Sequence, residues 1–526
     1  MKAARLLTVI TMIAVVALAS CRPALGKGKL IYGLTLSPSS IDPHSGASSE
    51  LGIPLTSVYD PLVWLAPDGQ FVAGLAQRWE VSADGKTYTF HLRKDVKFHD
   101  DTPLNADAVC FSLQRIVDPA TKSAKAIGLL GPFEGCEAVD GYTARVLLKA
   151  PYAPFLSAVS QVYVAIVSPT AVKQWGDEYQ FHQVGTGPFM FQEYVPKDHL
   201  ILKRNPSYRW APAFFAHQGP AYLGEVEFRF FVDPATRAPA LESGDVQVMG
   251  EIPPVDAARL ERAPDFSLLS VPVPGQPLQM YLNTTRAPLD DVRVRQALVY
   301  AADRQAIVDA VFMGYSPIAY GPLCRSTWGY DGSVEELYAF DPNKARELLE
   351  QAGWRDTDGD GIRDKDGQPL ALDTVLMSWG FVPEVGQMLQ QQYLLVGVRL
   401  KTELLAYPAA LQAASEGKHH LIPFTFSGSD PGILRSAFHS ANADGGFNWA
   451  KVRDAQLDAW LDQGEQVLDT EERAMVYAQI QRSIMDQALI VPIRDYVNLN
   501  GVSARVQGLQ FDAQGWFPWL YDVKLD

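Results

Sequence analysis

No Pro- or Gly-rich linker, internal repeat or low-complexity tract interrupts the 526 residues of this chain. That length exceeds what one small core holds, at roughly 100 to 200 residues per domain. More than one folding unit, or one large bilobal unit, must therefore be built from a continuous run of short elements. Lobes built this way are expected to be interwoven rather than strung as separate beads.

The elements alternate between two periodicities. In "YTFHLRKDVKFHDDT" the apolar residues Tyr88, Phe90 and Leu92, then Val96 and Phe98 after a break at Lys94, fall on one face of an extended chain. A partner strand precedes it across "SADGK", where Asp84-Gly85 supplies the positive-φ residue of a tight hairpin. The chain then enters "NADAVCFSLQRIVD", a helix with Asn105 as cap, Asp107 in its first turn and Val109, Leu113 and Ile116 along one stripe. Strand patterns return at "ARVLLKAP", "GPFMFQEYV" and "HLILKRNPSY". Helices are predicted in "DVRVRQALVYAADRQAIVDAVFMG", two of them ended by Gly314, and in "DPNKARELLEQAG". A last helix follows Asp469 and Glu472, a capping box, with Val476, Ile480 and Ile484 on its buried side. The segment "LSPSSIDPHSGASS" reads as an irregular loop. The fold class is mixed, α+β with α/β character.

Lys and Arg number 45 against 60 Asp and Glu, a net charge of −15, which argues against a polyphosphate partner. At the N-terminus, Lys2 and Arg5 precede an uncharged apolar run from Leu6 to Ala19, the pattern of an export signal and too short for a comfortable membrane span. Leu18-Ala19-Ser20-Cys21 resembles the bacterial lipobox, so Cys21 is expected to carry an acyl anchor at a membrane surface, with an ordinary signal peptide as the alternative. An oxidising compartment permits one disulfide among Cys110, Cys136 and Cys324; Cys110 with Cys136 is favoured, and three buried free thiols is the other possibility.

Motifs for catalysis are scarce. There is no G-x-S-x-G elbow, no H-E-x-x-H helix and no phosphate-binding G-x-x-x-x-G-K-[ST] loop. "GTGPFM" at Gly185 lacks the third glycine of a dinucleotide loop and has Pro188 where the helix should open. The doublets Asp100-Asp101 and Asp290-Asp291 are read as turn and cap residues, and His419-His420 as a solvated pair where a turn enters a strand. "DTDGDGIRDKDG" is sharper: Asp356, Asp358, Asp360 and Asp364 take the first, third, fifth and ninth places of a calcium loop, with Gly361 at the turn and a carbonyl from Ile362. Gly367 stands where that loop has its bidentate Glu, and a solvated Asp/Gly hairpin is the competing reading. Any calcium would be structural, and no cofactor is otherwise required.

Residues 75–119, "LAQRWEVSADGKTYTFHLRKDVKFHDDTPLNADAVCFSLQRIVDP", closely resemble the signature segment of the bacterial extracellular solute-binding proteins of family 5, which serve peptide and nickel ABC importers. "VGTGPFMFQEYVPKDHLILKRNPSY", "YLNTTRAPLDDVRVRQALVYAADRQAIV", "DPNKARELLEQAGW", "YAQIQRSIMDQALIVPI" and "VQGLQFDAQGWFPWLYDVKL" look like successive blocks of the same family, so the resemblance spans the mature chain. Asp101 replaces the family's usual Gly.

The resemblance implies a bilobal, periplasmic-binding-protein-like fold of type II with an accessory subdomain and the ligand in the interlobe cleft. The implied layout is a signal peptide at 1–20, a first lobe at 21–280 with the accessory part at about 60–190, a second lobe at 281–490, and a return to the first lobe at 491–526. It implies a monomeric, non-enzymatic carrier, exported to a periplasm or cell surface. Such a carrier hands peptides or peptide-like solutes to membrane permease subunits driven by a separate ATPase. Peptide binders of the family hold the ligand's α-ammonium with an aspartate in a Gly-x-Asp-Pro-like loop, and "FSGSDPGILRSAFHS" matches that block, implicating Asp430. The segment "VLMSWGFVPEVG" offers no arginine for a ligand carboxylate; Trp379 would give an apolar wall and Arg435 could meet an anion. Trp328, Tyr407 and Phe447 are further candidates for the lining. A chelated nickel ion, with His419 and His420 as the paired histidines, and an oligosaccharide are the rival solutes. A secreted hydrolase and a calcium-stabilised adhesin are the rival classes.

Overall fold

The computed structural model describes residues 28–37, 40–46, 48–377 and 379–526. The export signal and Cys21 lie outside them. Two mixed sheets organise the chain. The first has seven strands in the order Phe266–Pro272, Val497–Ser503, Val248–Met249, Lys29–Leu34, Glu225–Phe230, His199–Arg204, Phe189–Val195. The second has five, in the order Arg399–Leu405, Ala371–Met377, Leu421–Ser427, Gly275–Leu282, Ile490–Arg494. All eight residues of Gly275–Leu282 are buried, as expected of an interior strand with neighbours on both edges.

The second lobe is continuous in sequence, and the first holds both ends of the described chain. They are joined by two passages, Val273–Pro274 leading out of the first sheet and Asp495–Tyr496 leading back. The passages run side by side, with the Val273 N–H donating to the Tyr496 carbonyl at 2.9 Å.

On the first lobe sits an antiparallel four-stranded sheet, Ala76–Val81, Thr87–Leu92, Thr143–Leu148 and Phe133–Asp140 in that order, covered by the helix Ala106–Val117. Tyr88, Phe90 and Leu92 alternate inward as the period requires. The strand ends at Leu92, however, so Val96 and Phe98 are buried from an irregular loop and not from a continued strand. That loop closes on itself through Phe98 N–H to Thr102 O at 2.9 Å and Leu104 N–H to Val96 O at 3.1 Å. Asp101 takes φ +66° there, the conformation that a glycine adopts without strain.

The caps read from the sequence are in place: Asn105 Oδ1 accepts from Ala108 N–H at 2.9 Å, and Asp469 Oδ1 from Glu472 N–H at 2.9 Å. The glycines of "GTGPFM" serve close packing. A Cβ on Gly185 would lie 2.1 Å from the Val58 carbonyl oxygen, and one on Gly187 2.6 Å from that of Ser57. The helix Ala106–Val117 is joined to the strand Phe133–Asp140 by a disulfide between Cys110 and Cys136, whose Cα atoms are 5.1 Å apart; Cys324 is a buried free thiol.

A cross-link closing a loop of this size restricts the unfolded chain by about 3–4 kcal/mol. The double variant Cys110→Ser/Cys136→Ser is therefore expected to unfold at lower urea concentration with the accessory sheet losing protection first, measured by hydrogen exchange; an unchanged midpoint would refute a structural role for the bond.

Candidate functional site

In open sheets of this kind ligands bind beyond the carboxyl ends of parallel strands. In the first lobe the parallel strands Lys29–Leu34, Glu225–Phe230 and Val248–Met249 lead into Thr35, Phe231 and Glu251. In the second lobe Ala371–Met377, Arg399–Leu405 and Leu421–Ser427 lead towards Trp379, Tyr407 and the Ser429–Asp430 turn. Both edges adjoin the passages: Gly428 N–H donates to Pro274 O at 3.0 Å, and Tyr496 OH to Glu251 Oε1 at 2.8 Å. Two carboxyl-terminal edges on the same side of a double passage bound a cleft.

One wall of the cleft is aromatic. Tyr407 stacks on Phe424 at 6.4 Å between ring centroids, and Phe447 lies 5.0 Å from Phe426, 5.8 Å from Trp449 and 6.3 Å from Phe424. Tyr407 and Phe447 remain 45% and 43% exposed, so the cluster keeps an apolar face open. Trp379 is half-buried, its indole N–H directed at Met377 Sδ at 3.3 Å.

Asp430 has a partner that the sequence block around it does not contain. Its two carboxylate oxygens each accept from Arg473, Nη2 to Oδ1 and Nη1 to Oδ2, both at 2.7 Å, and Oδ1 also accepts from the Gly432 N–H at 2.8 Å. Arg473 is 7% exposed, donates from Nε to the Gly464 carbonyl at 2.7 Å, and lies between the rings of Trp328 and Tyr477, at 5.1 and 5.2 Å. Burial works against the guanidinium charge, but Asp430 outweighs it and holds the Arg473 pKa above its ordinary value. Asp430 is thus one half of a bidentate ion pair with a buried arginine. The sequence carried a signal for Arg473: it lies at helical spacing on the same stripe as Val476, Tyr477 and Ile480, and a charge on a buried stripe requires a buried counter-charge.

The ion pair sits where the accessory part of the first lobe touches the second lobe. Ser157 Oγ is 3.3 Å from Ser429 Oγ, and the Ala153 N–H donates to the Glu465 carbonyl at 2.7 Å. The Arg435 guanidinium is paired with Asp462 at 2.9 Å and Glu465 at 3.2 Å. Burial pushes the Glu465 carboxyl up to about 7 despite that arginine.

The paired histidines are buried, correcting the expectation of a solvated turn. They precede the amino end of Leu421–Ser427, at the edge away from the cleft. His419 Nε2 is 2.9 Å from the Trp449 carbonyl, His420 Nε2 is 3.1 Å from that of Ala287, and His420 Nδ1 accepts from the Asp373 N–H at 3.0 Å. Burial lowers the His419 pKa to about 4, keeping the ring neutral. Neither side chain is aimed at a solute in the cleft.

In the acidic loop, carboxylate oxygens of Asp356, Asp358 and Asp364 lie within 4.8 Å of one another. Asp356 accepts from Gly359 and Gly361 N–H at 2.7 and 3.1 Å, and Asp364 from the Thr357 N–H and hydroxyl at 2.9 and 2.7 Å. Asp360 turns instead to the Ile362 N–H at 2.7 Å and to Arg399 at 3.6 Å, and Ile362 itself is buried. The loop precedes the amino end of Ala371–Met377 and so lies at the edge away from the cleft.

Against known proteins, the family described as Bacterial extracellular solute-binding proteins, family 5 Middle, matches residues 70–445. The Dipeptide-binding protein of Escherichia coli (strain K12) is 29% identical over 521 residues, covering 92% of each chain. Glutathione-binding protein GsiB of Escherichia coli O1:K1 / APEC is 31% identical over 497 residues, covering 91% of each. The crystal structure of NikA from Brucella suis in complex with Fe(III)-EDTA superposes with a TM-score of 0.85 at 24% identity, covering 95% of this chain and 100% of that one.

Removing one partner of a buried pair leaves the other charge unbalanced, a loss of about 3–5 kcal/mol. Arg473→Ala and Asp430→Ala should each lower the urea midpoint, and the double variant should lose much less than the sum. Additive losses would show that the two side chains do not act as a pair.

Proposed function

The chain belongs to the bacterial extracellular solute-binding proteins of family 5, and on that premise we propose that it is the solute-capturing component of an ABC importer, taking peptides or peptide-like solutes outside the cytoplasmic membrane. The reading is that of a carrier, not an enzyme. It needs two arrangements of differing affinity, one open to solute and one closed upon it. The observation that carries it is the double passage at 273–274 and 495–496, with the ligand-binding edges of both sheets on the same side of it. Relatives named for dipeptides and glutathione support peptide-like solutes.

The chemistry of the walls refines this reading. With Asp430 balanced by Arg473, an entering α-ammonium meets a neutral ion pair, and the open face of Tyr407 and Phe447 offers contact to apolar side chains. Affinity then rests on enclosure of side chains more than on one buried charge–charge contact. The partners are the membrane permease subunits, and the tether is an acyl chain on Cys21.

Native mass spectrometry of protein purified without refolding, followed by denaturation, should release a set of short peptides, and Tyr407→Ala/Phe447→Ala should deplete those with large apolar side chains. Release of a metal chelate or sugar alone would overturn the peptide reading. Separately, Cys21→Ser is expected to move the protein from the membrane to the soluble fraction, and undiminished membrane retention would refute the anchor.

A further inference from the structure

The buried arginines of this chain are met by several acceptors each, and Arg494 is the exception. Arg295 donates to the carbonyls of Leu289 at 2.7 Å and Gln487 at 2.8 Å, and Arg304 to those of Ala319 at 3.0 Å and Tyr338. Arg237 donates to the carbonyls of Phe231, Val232 and Glu251 at 3.2, 3.3 and 3.0 Å, and Arg363 to those of Val396 and Trp354 at 3.0 and 2.8 Å. Arg473 has Asp430 and the Gly464 carbonyl. Arg494 is 7% exposed, yet among the described residues only Ser316 Oγ, at 2.7 Å from Nη1, meets it in hydrogen-bond geometry, and its Nε is buried without a partner. No neighbouring carboxylate balances it. The Glu251 oxygens take the hydroxyls of Thr35 and Tyr496 at 2.7 and 2.8 Å, and Asp495 accepts from the Arg325 N–H at 3.1 Å.

The contacts of Arg494 place it between the two edges that bound the cleft. It ends the strand Ile490–Arg494, immediately before the returning passage. Its guanidinium lies 4.4 Å from the ring centroid of Tyr496, whose hydroxyl donates to Glu251 beyond the first lobe's strand Val248–Met249. It lies 4.0 Å from the ring centroid of Phe312, which packs edge-on against Phe381 at 5.9 Å, in the turn that carries Trp379 beyond the second lobe's strand Ala371–Met377. Ring surface takes the flanks of the guanidinium. What remains for a newcomer is its N–H edge, a planar fork that matches the two oxygens of a carboxylate.

We propose that the N–H edge of Arg494 receives a carboxylate of the solute, the C-terminal one in a peptide, and so restricts the cargo to free acids. The proposal rests on the chain being a carrier of peptide-like solutes and adds which end of them is read by charge. An α-ammonium meets Asp430 already paired with Arg473, whereas a carboxylate meets an arginine with no counter-charge. A buried cation without a counter-ion is costly in the empty protein, and an entering anion removes that cost. Desolvation of the carboxylate offsets much of the attraction, so the contact selects against neutral analogues more than it adds affinity.

The test offers the full-length protein a mixture of dipeptides and tripeptides with free C-terminal carboxylates together with the same mixture as C-terminal amides, and identifies what is captured by native mass spectrometry. The wild type should favour the acids by roughly 10- to 100-fold, the worth of a hydrogen bond to a charged group. Arg494→Met, whose side chain of similar reach still packs on both rings, should take acids and amides alike. Without solute, that variant should unfold at the same urea concentration as the wild type or a higher one, because it removes an unbalanced buried charge. Arg494→Lys serves if Arg494→Met does not fold: it keeps the charge but not the fork, and should narrow the preference. Equal capture of acids and amides by the wild type overturns the proposal and leaves the peptide reading standing. A preference that survives in Arg494→Met, with the urea midpoint lowered, overturns it by marking the arginine as structural. Capture of neither mixture overturns the peptide reading and the proposal with it.

Discussion

Two strands of backbone between the lobes set the terms for everything else. Val273–Pro274 and Asp495–Tyr496 lie side by side and are hydrogen-bonded, so the backbone crosses between the lobes at two adjacent points, the arrangement of a hinge. The passages also continue strands on both sides, Phe266–Pro272 into Gly275–Leu282 and Ile490–Arg494 into Val497–Ser503. Orientation of the two sheets is thereby coupled to the hinge, and their carboxyl-terminal edges meet across one cleft.

Charge is handled conservatively along that cleft. Asp430 is matched by Arg473, and Arg435 by Asp462 and Glu465. Pairs of this kind contribute little net stability against well-packed apolar residues, because desolvation offsets most of the attraction. Their effect is positional: the Asp430–Arg473 pair anchors the turn that meets Ser157, and Trp328 and Tyr477 fix the guanidinium between their rings.

Much of the fold was legible because local patterns agreed with tertiary need. Period-two burial at Tyr88, Phe90 and Leu92 and caps at Asn105 and Asp469 are properties of a few neighbouring residues. Val96 and Phe98 show where period alone fails, since an irregular loop can bury alternate residues too. The site was less legible because its partners are remote in sequence. Asp430 stands out in its block, but what neutralises it lies 43 residues further on, in a helix whose apolar stripe conceals an arginine. His419 and His420 misled for the same reason: the carbonyls of Trp449 and Ala287 that receive their rings are far along the chain.

The strand order of the first sheet has a bearing on how the protein comes to be folded. Val497–Ser503 is an interior strand, lying between Phe266–Pro272 and Val248–Met249, so the sheet begun by Lys29–Leu34 stays incomplete until almost the last residues of the chain are present. The second sheet, drawn wholly from residues 275–494, has no such dependence. During directional delivery of the polypeptide the later lobe can therefore mature first, leaving the earlier one with an unpaired interior edge until the C-terminus arrives. For an exported chain, that dependence places the completion of the first lobe after that of the second.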